Sequence, residues 1–442
     1  VARAAAQAPT RDPRRVALEV LTAVAERDAY ANLVLPPLLD RGRLDERDRA
    51  LATELAYGTL RRQGSLDRLL SLCSTRAVER MDPSVLRALR LGAYQLLYTR
   101  VPRHAAVDTA VELAGTGARS ARTFANAVLR AAAVRVAGPD PLGLADIADP
   151  TERLAAEHSH PRWVVDAFRS ALDDDDAELA AALAADNARP EVHLAVLPGR
   201  ADPDQVAREL AGAGLAAHPG RFSPHALILD GGDPGRLASV IGHAVTVQDE
   251  GSQLCALALH RAAPAGLVVD LCAGPGGKAA LLAALRPRVL AVEPAPARAA
   301  LVRDLGVPAV ARADGRRPPV APRSAAGVLV DAPCTGLGAL RRRPEARWRR
   351  TPDDLDDLVR LQRQLLAAAA ELVAPGGVLG YAVCSPHPAE ADVELPPGFA
   401  RLDAAGYAGV AGEPRLALWP HRHGTDAMSL TLARRTGDAA DR

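Results

Sequence analysis

Two cysteines stand where thiol chemistry is a better account than packing: Asp331-Ala332-Pro333-Cys334 and Val383-Cys384-Ser385-Pro386. Each segment closes a run of Val, Leu and Ala that reads as a buried strand. A buried free cysteine is usually a small hydrophobe. Two at the mouths of neighbouring strands, one of them beside an aspartate, fit a nucleophile with a thiol partner able to share its proton. The other cysteines are Cys73, Cys255 and Cys272, so the total of five is odd, widely spaced and without a C-x-x-C pair. That excludes a disulfide framework and a structural zinc site.

A second constellation is Asp270-Leu271-Cys272-Ala273-Gly274-Pro275-Gly276-Gly277-Lys278. It runs from a strand directly into a helix, and such a Gly-rich turn lets the backbone approach a ligand and point amide groups at it. Alone it suits a nicotinamide, a nucleotide or a sulfonium cofactor. It is no P-loop, because Ala279 follows Lys278 where Ser or Thr is required. Lys278 is the single lysine of the chain, all other cations being arginine, which points to a place where a compact ammonium is needed. The next strand ends in Glu293, placed to grip a ribose diol or to be a surface acid. Asp314 follows the third strand, where it could accept from an adenine amino group.

The segment Arg341-Arg342-Arg343-Pro344-Glu345-Ala346-Arg347-Trp348-Arg349-Arg350 adjoins the Cys334 loop. Its six arginines are candidates for phosphate contacts and stacking on bases, against the reading of a solvated loop. His421 and His423 lack a Cys or carboxylate set at ligand spacing, so no metal is expected.

These residues need a frame. From about residue 246, strand runs (LVVDLCAG, VLAVEP, GVLVDAPC, VLGYAVCS) alternate with helical patterns (KAALLAALR, PARAALVRDLG, LVRLQRQLLAAAAELV). This predicts a parallel, doubly wound α/β domain over 246–436, with its site at the carboxyl ends of the strands. Upstream, helical spacing without strand alternation predicts an all-α domain over 13–136, entered through an Asp12-Pro13 cap after a disordered tail assigned to 1–12. A Gly/Pro/Asp-rich linker covers 137–150, and a small α+β connector, to which the resemblance given below implies RNA binding, covers 151–245.

Composition narrows the class. With 442 residues, 48% hydrophobic and 24% charged, there is enough apolar surface for several cores and no case for global disorder. The 3% aromatic content argues against base-stacking platforms for single strands. A net charge of +1 supplies no global field, so any nucleic-acid surface is local. No apolar run of about 18 residues and no signal core is present, which leads to the expectation of a soluble cytoplasmic protein without a membrane partner.

Taken together, LCAGPGGK, DAPCTGLGALRRRPEARW and YAVCSPHPAE, with VQDEGSQLCALAL upstream and WPHRHGTDAM near the end, resemble the RNA cytosine-C5 methyltransferases. The resemblance is greatest to the bacterial RsmB (Sun, Fmu) group that acts on 16S rRNA. The helical region resembles the antitermination factor NusB. The resemblance implies a multidomain protein: an all-α NusB-like RNA-binding domain, the α+β connector and a Rossmann-like methyltransferase domain. It implies S-adenosylmethionine as cofactor, held by Cys272, Ala273, Gly274, Pro275, Gly276, Gly277, Lys278, Glu293, Asp314 and Asp331. It implies Cys384 as nucleophile, Cys334 as the residue that helps release the product, Asp331 at the cytosine edge, 16S rRNA as partner and a monomer. Ala195 stands where the family's connector strand often carries Arg, and Pro396-Pro397 leave little room for the helix expected after Cys384. The competing readings are a small-molecule methyltransferase or oxidoreductase on a similar sheet, a methyltransferase of another RNA, and a noncatalytic RNA-binding or assembly factor.

Overall fold

The first helix starts where the sequence caps it: Asp12 accepts from the Arg14 amide at 2.9 Å, and Pro13 opens Pro13–Arg27. A computed structural model describes residues 12–42, 44–115 and 119–436. The remainder of the tail assigned to 1–12 lies outside these. Helices Ala31–Gly42, Glu46–Arg61, Gln63–Leu72, Pro83–Tyr98, Arg103–Ala114 and Arg119–Arg135 follow. Their apolar faces enclose one core that includes Val16, Val20, Leu55, Leu66, Leu69, Leu89, Leu91 and Leu129.

The chain divides into two compact units. The first takes in residues up to Arg169, Asp175–Ala188 and, from far along the sequence, Leu340–Arg349. The expected connector of 151–245 is therefore divided: helices Pro150–His158 and Asp176–Ala185 belong with the helical unit. The reason is polar as well as apolar, because Ser65 Oγ donates to Ala156 O at 2.7 Å and Gly64 N to Ser159 Oγ at 2.8 Å.

The second unit holds two sheets. Strands β1 (Val192–Val196), β2 (Ala217–Pro219), β3 (Ala226–Leu229) and β4 (Val245–Val247) form an antiparallel sheet in the order β2-β3-β1-β4. Ala195 is fully buried in β1, opposite Ala226 and Thr246.

The larger sheet contains β5 (Val268–Asp270), β6 (Val289–Val292), β7 (Ala309–Ala311), β8 (Ala325–Asp331), β9 (Val373–Val383), β10 (Phe399–Leu402), β11 (Leu416–Ala417) and β12 (Ser429–Arg435). Its order is β10-β12-β9-β8-β5-β6-β7, with β11 on β12. Strands β5 to β9 are parallel, as their crossovers through helices require. The expectation of an all-parallel sheet fails at one edge, where β12 runs antiparallel to both β9 and β10. Helices Glu250–Ala262, Gly277–Leu285 and Pro296–Asp304 cover one face and Pro352–Leu372 the other. The chain runs outward from β5 to β7, then returns to β8 on the other side of β5. That reversal makes a crevice at the carboxyl ends of β5 and β8.

Candidate active site

Strand β5 ends in Asp270, and the turn after it bends sharply at two glycines, Gly274 (φ 57°) and Gly276 (φ 106°). Gly276 caps the helix that begins at Gly277, and a Cβ there would stand 3.1 Å from the Val302 Cα, so a side chain is barred by packing as well as by φ. One residue into the helix, Lys278 reaches across to the end of β8: its Nζ lies 2.8 Å from Asp331 Oδ2. Burial acts against the ammonium, but the Asp331 carboxylate and the thiols of Cys255 and Cys384 outweigh it, so its pKa stands above the ordinary lysine value.

Four carboxylates converge here, one from each of four strand ends. Burial raises the Cys272 thiol pKa, and Asp270, Asp331, Glu293 and Asp314 all raise it further. Of the four, Asp270 is fully buried, and no side chain hydrogen-bonds its oxygens; its one support is the Cys272 backbone amide. Burial first, and then the charge of Asp331, push its pKa up to about 7. Sequence reasoning quoted Asp270 without giving it a role; its place at the last position of β5 was the available signal. Glu293 is buried, and its Oε1 accepts from the Ala295 amide at 2.8 Å and from Arg298 Nε at 2.9 Å. Asp314 is half-exposed and gripped by Arg316, whose side-chain and backbone bonds hold the carboxyl down to about 2. An adenine amino group would share that carboxylate with the guanidinium.

The two cysteines meet. Pairing of Asp331 with Ala382 sets the register of β8 against β9, and beyond those ends Cys334 Sγ and Cys384 Sγ lie 3.4 Å apart. The hydrogen bond with Cys384, then burial, push the Cys334 pKa well above the usual thiol range. The loops carrying them are tied by buried polar side chains that the sequence did not single out. Glu390 accepts from the Thr335 amide at 2.8 Å, from Thr335 Oγ1 at 2.5 Å and from Gln362 Nε2 at 3.0 Å. Thr335 Oγ1 also meets Ser385 Oγ at 3.1 Å. Gly338 donates to Cys384 O at 2.9 Å and accepts from Ala427 N at 2.8 Å. After Cys384 the helix is a single turn, Pro388–Ala391, and Pro396-Pro397 lie between it and β10.

The arginine segment is corrected in part. Arg347 is fully buried in the helical unit. Its guanidinium donates to Arg61 O, Ser159 O, Asn187 Oδ1 and Asp186 O at 2.9–3.2 Å. Arg61 is the last residue of Glu46–Arg61, and Ser159 and Asp186 cap the ends of Pro150–His158 and Asp176–Ala185. One cation thus meets three helix C-termini, whose last carbonyls lack partners within the helix and carry partial negative charge. Arg349 does the same for Pro13–Arg27, donating to Val24 O, Asp28 O and Ala29 O. Arg341 is also buried, its carbonyl accepting from Arg61. Arg347 and Arg341 are buried, Arg349 is partly exposed but engaged by helix carbonyls, Arg343 is exposed, and Arg342 and Arg350 are partly so. His423 Nδ1 accepts from the Trp419 amide, and the His421 ring packs at the edge of Trp419.

A largely parallel sheet with a Gly-rich first turn, acids at successive strand ends and paired thiols defines a class: a Rossmann-like methyltransferase domain, here joined to a helical domain. Residues 256–432 match the family described as 16S rRNA methyltransferase RsmB/F, residues 11–134 the NusB family, and residues 160–234 the ferredoxin-like domain of RsmF/B-like methyltransferases. The chain belongs to the RsmB/F family of S-adenosylmethionine-dependent rRNA methyltransferases. It is 50% identical to "Putative methyltransferase Rv1407" of Mycobacterium tuberculosis, over 96% of this chain and 97% of that one. It is 36% identical to "Ribosomal RNA small subunit methyltransferase B" of Sodalis glossinidius, over 85% and 86%. The crystal structure of PH0851 shares the fold at 21% identity, with a TM-score of 0.78 over 95% of this chain and 98% of that one. Among the described residues no helix is long and apolar enough to cross a membrane.

Proposed function

We propose that the chain methylates carbon-5 of a cytidine in 16S rRNA, in the cytoplasm, through a covalent adduct on Cys384. The observation that carries this reading is the pair of thiols, 3.4 Å apart at adjacent strand mouths beside Asp331. A reaction with one thiol needs no such partner.

The residues fit S-adenosylmethionine. Its charges are a sulfonium and an ammonium at one end, and this crevice gathers four carboxylates with a single lysine among them. The carboxylate of Asp270, which no side chain neutralises, suits the ammonium, the backbone of Cys272–Lys278 the methionine end, Glu293 the ribose and Asp314 the adenine amino group. The cofactor supplies an electrophilic methyl group.

Carbon-5 of cytosine is a poor nucleophile. In this reading, which follows the family resemblance, Cys384 loses its proton and is the sulfur that attacks; addition at carbon-6 makes the ring enamine-like, and carbon-5 can take the methyl group. Asp331, oriented by Lys278, accepts from the N4 amino group and so holds the base by its N3/N4 edge while the adduct forms. A base then removes the carbon-5 proton, the carbon-6–sulfur bond breaks, and Cys334 assists this release. The helical domain and the exposed arginines Arg342, Arg343 and Arg350 are assigned to RNA phosphates.

The test is nucleoside mass spectrometry and bisulfite sequencing of unmodified 16S rRNA incubated with purified protein and S-adenosylmethionine. One new 5-methylcytidine supports the reading; methylation at a carbon other than C5, or none with the cofactor bound, overturns it.

A further inference from the structure

Neither sulfur is fixed by its own backbone alone, because Cys334 and Cys384 sit on different loops that follow different strands. What spans the two loops is a carboxylate. Glu390 is fully buried on the single-turn helix that follows Cys384. It accepts both the backbone and the hydroxyl of Thr335, the residue after Cys334. The same hydroxyl meets Ser385, the residue after Cys384. Gln362, from the helix beneath, donates to Glu390 and to Pro333 O at 2.9 Å, so the residue before Cys334 is held by the same cluster. Tyr381 on β9 closes it by donating to the Glu390 carbonyl at 3.0 Å. Each thiol is therefore flanked by a residue bonded into one buried network, at whose centre is the only ionisable carboxyl group of the set.

We propose that Glu390 is a positioning residue, which acts through Thr335, Gln362 and Ser385 to hold the sulfurs of Cys334 and Cys384 at one working separation. The proposal rests on the two-thiol reading of the reaction. Buried, charge-assisted hydrogen bonds are the short and strong ones, and they specify a single arrangement because a half-satisfied network is costly. Without the carboxylate, the Thr335 amide and the Gln362 amide lose a buried acceptor, and the loop after β8 can settle elsewhere. Glu390→Gln keeps an oxygen for those two donors, and its amide group can donate to Thr335 Oγ1. It is the conservative variant expected to rescue the geometry.

The test separates thiol geometry from catalysis by using phenylarsine oxide, which binds two neighbouring thiols at once. Affinity is measured on the full-length protein and corrected with Cys334→Ala. Glu390→Ala is expected to weaken binding by about tenfold, the scale set by a charge-assisted hydrogen bond, and Glu390→Gln to restore most of it. In steady-state turnover, Glu390→Ala is expected to lose kcat, leave KM for rRNA unchanged and accumulate protein–RNA adduct, since release needs the second thiol. Thr335→Val, which removes only the hydroxyl bonds, is the milder variant should Glu390→Ala not fold, and is expected to weaken arsenical binding severalfold. Unchanged arsenical affinity in a folded variant of either residue overturns the proposal. Weakened affinity in the variants, with no RNA adduct or 5-methylcytidine formed by the unaltered protein, upholds the positioning role and overturns the reading of the reaction instead.

Discussion

Replacing Arg347 with alanine distinguishes a structural cation from an RNA contact, which the sequence alone could not do. The buried guanidinium serves four acceptors, three of them carbonyls at or next to helix C-termini. Its pKa is drawn down to about 10, chiefly by burial and against the attraction of Asp186, so it remains charged at neutral pH. Removing one member of such a buried, charge-assisted network costs about 3–5 kcal/mol, because the acceptors left behind are poorly reached by water. In a domain of 150–250 residues each kcal/mol moves the melting temperature by about 2–4 °C. Arg347→Ala is therefore expected to lower the helical unit's melting temperature by about 10 °C. Arg347→Lys should not restore it, since one ammonium cannot reproduce the planar fork. Differential scanning calorimetry reads the loss, and filter binding at two salt concentrations reads RNA affinity. A melting temperature within about 2 °C of the unaltered protein, with RNA affinity reduced and its salt slope smaller by about one, would refute the reasoning.

Three further outcomes follow from the site. For Asp270, whose pKa of about 7 lies above its unfolded value near 4, the folded state binds the proton more tightly. Stability of the ligand-free protein should thus fall as pH rises from about 4 to about 7 and then level off, by up to about 4 kcal/mol. Asp270→Asn should remove that slope in urea titrations at several pH values, stabilise the ligand-free protein at pH 8 and weaken S-adenosylmethionine binding in calorimetry; an unchanged slope contradicts the assignment. For Gly338, a Cβ would stand 2.0 Å from Ala427 O and 2.9 Å from Cys384 O, so Gly338→Ala should cost about 3 kcal/mol in denaturant titration and displace Cys384. Lys278→Arg keeps the charge but not the compact ammonium that lies 2.8 Å from Asp331, and should lose about a hundredfold in methyl-transfer rate while remaining folded; full activity would show that any cation serves.

What was legible in the sequence is what depends on local pattern. The Gly-rich turn, the acids that end successive strands and the two cysteine loops could be placed, because strand periodicity fixes where carboxyl ends fall and the crevice of a doubly wound sheet lies there. The structure brings those residues together at the β5/β8 reversal. Two features were not legible, for a shared reason. Arg347 and Arg349 sit in a stretch whose composition reads as surface, and only partners about 160 to 325 positions away engage them and, for Arg347, bury it. Glu390, Thr335, Gln362 and Ser385 are ordinary polar residues whose importance lies in facing one another, a matter of tertiary contact. The antiparallel edge has a separate reason: β10 and β11 are four and two residues long, and the alternation of Ser429-Leu430-Thr431-Leu432 in β12 marks a strand but not its direction.

The central claim is that two thiols divide one reaction, and a denaturing gel of the protein with 16S rRNA and S-adenosylmethionine tests it most directly. Cys384→Ala should form no covalent complex and no product, whereas Cys334→Ala should be attacked through Cys384 and persist as a protein–RNA adduct. An adduct with Cys384→Ala and none with Cys334→Ala would reverse the roles, and no adduct with either, alongside only a modest loss of rate in Cys334→Ala, would make Cys334 a packing residue of its turn.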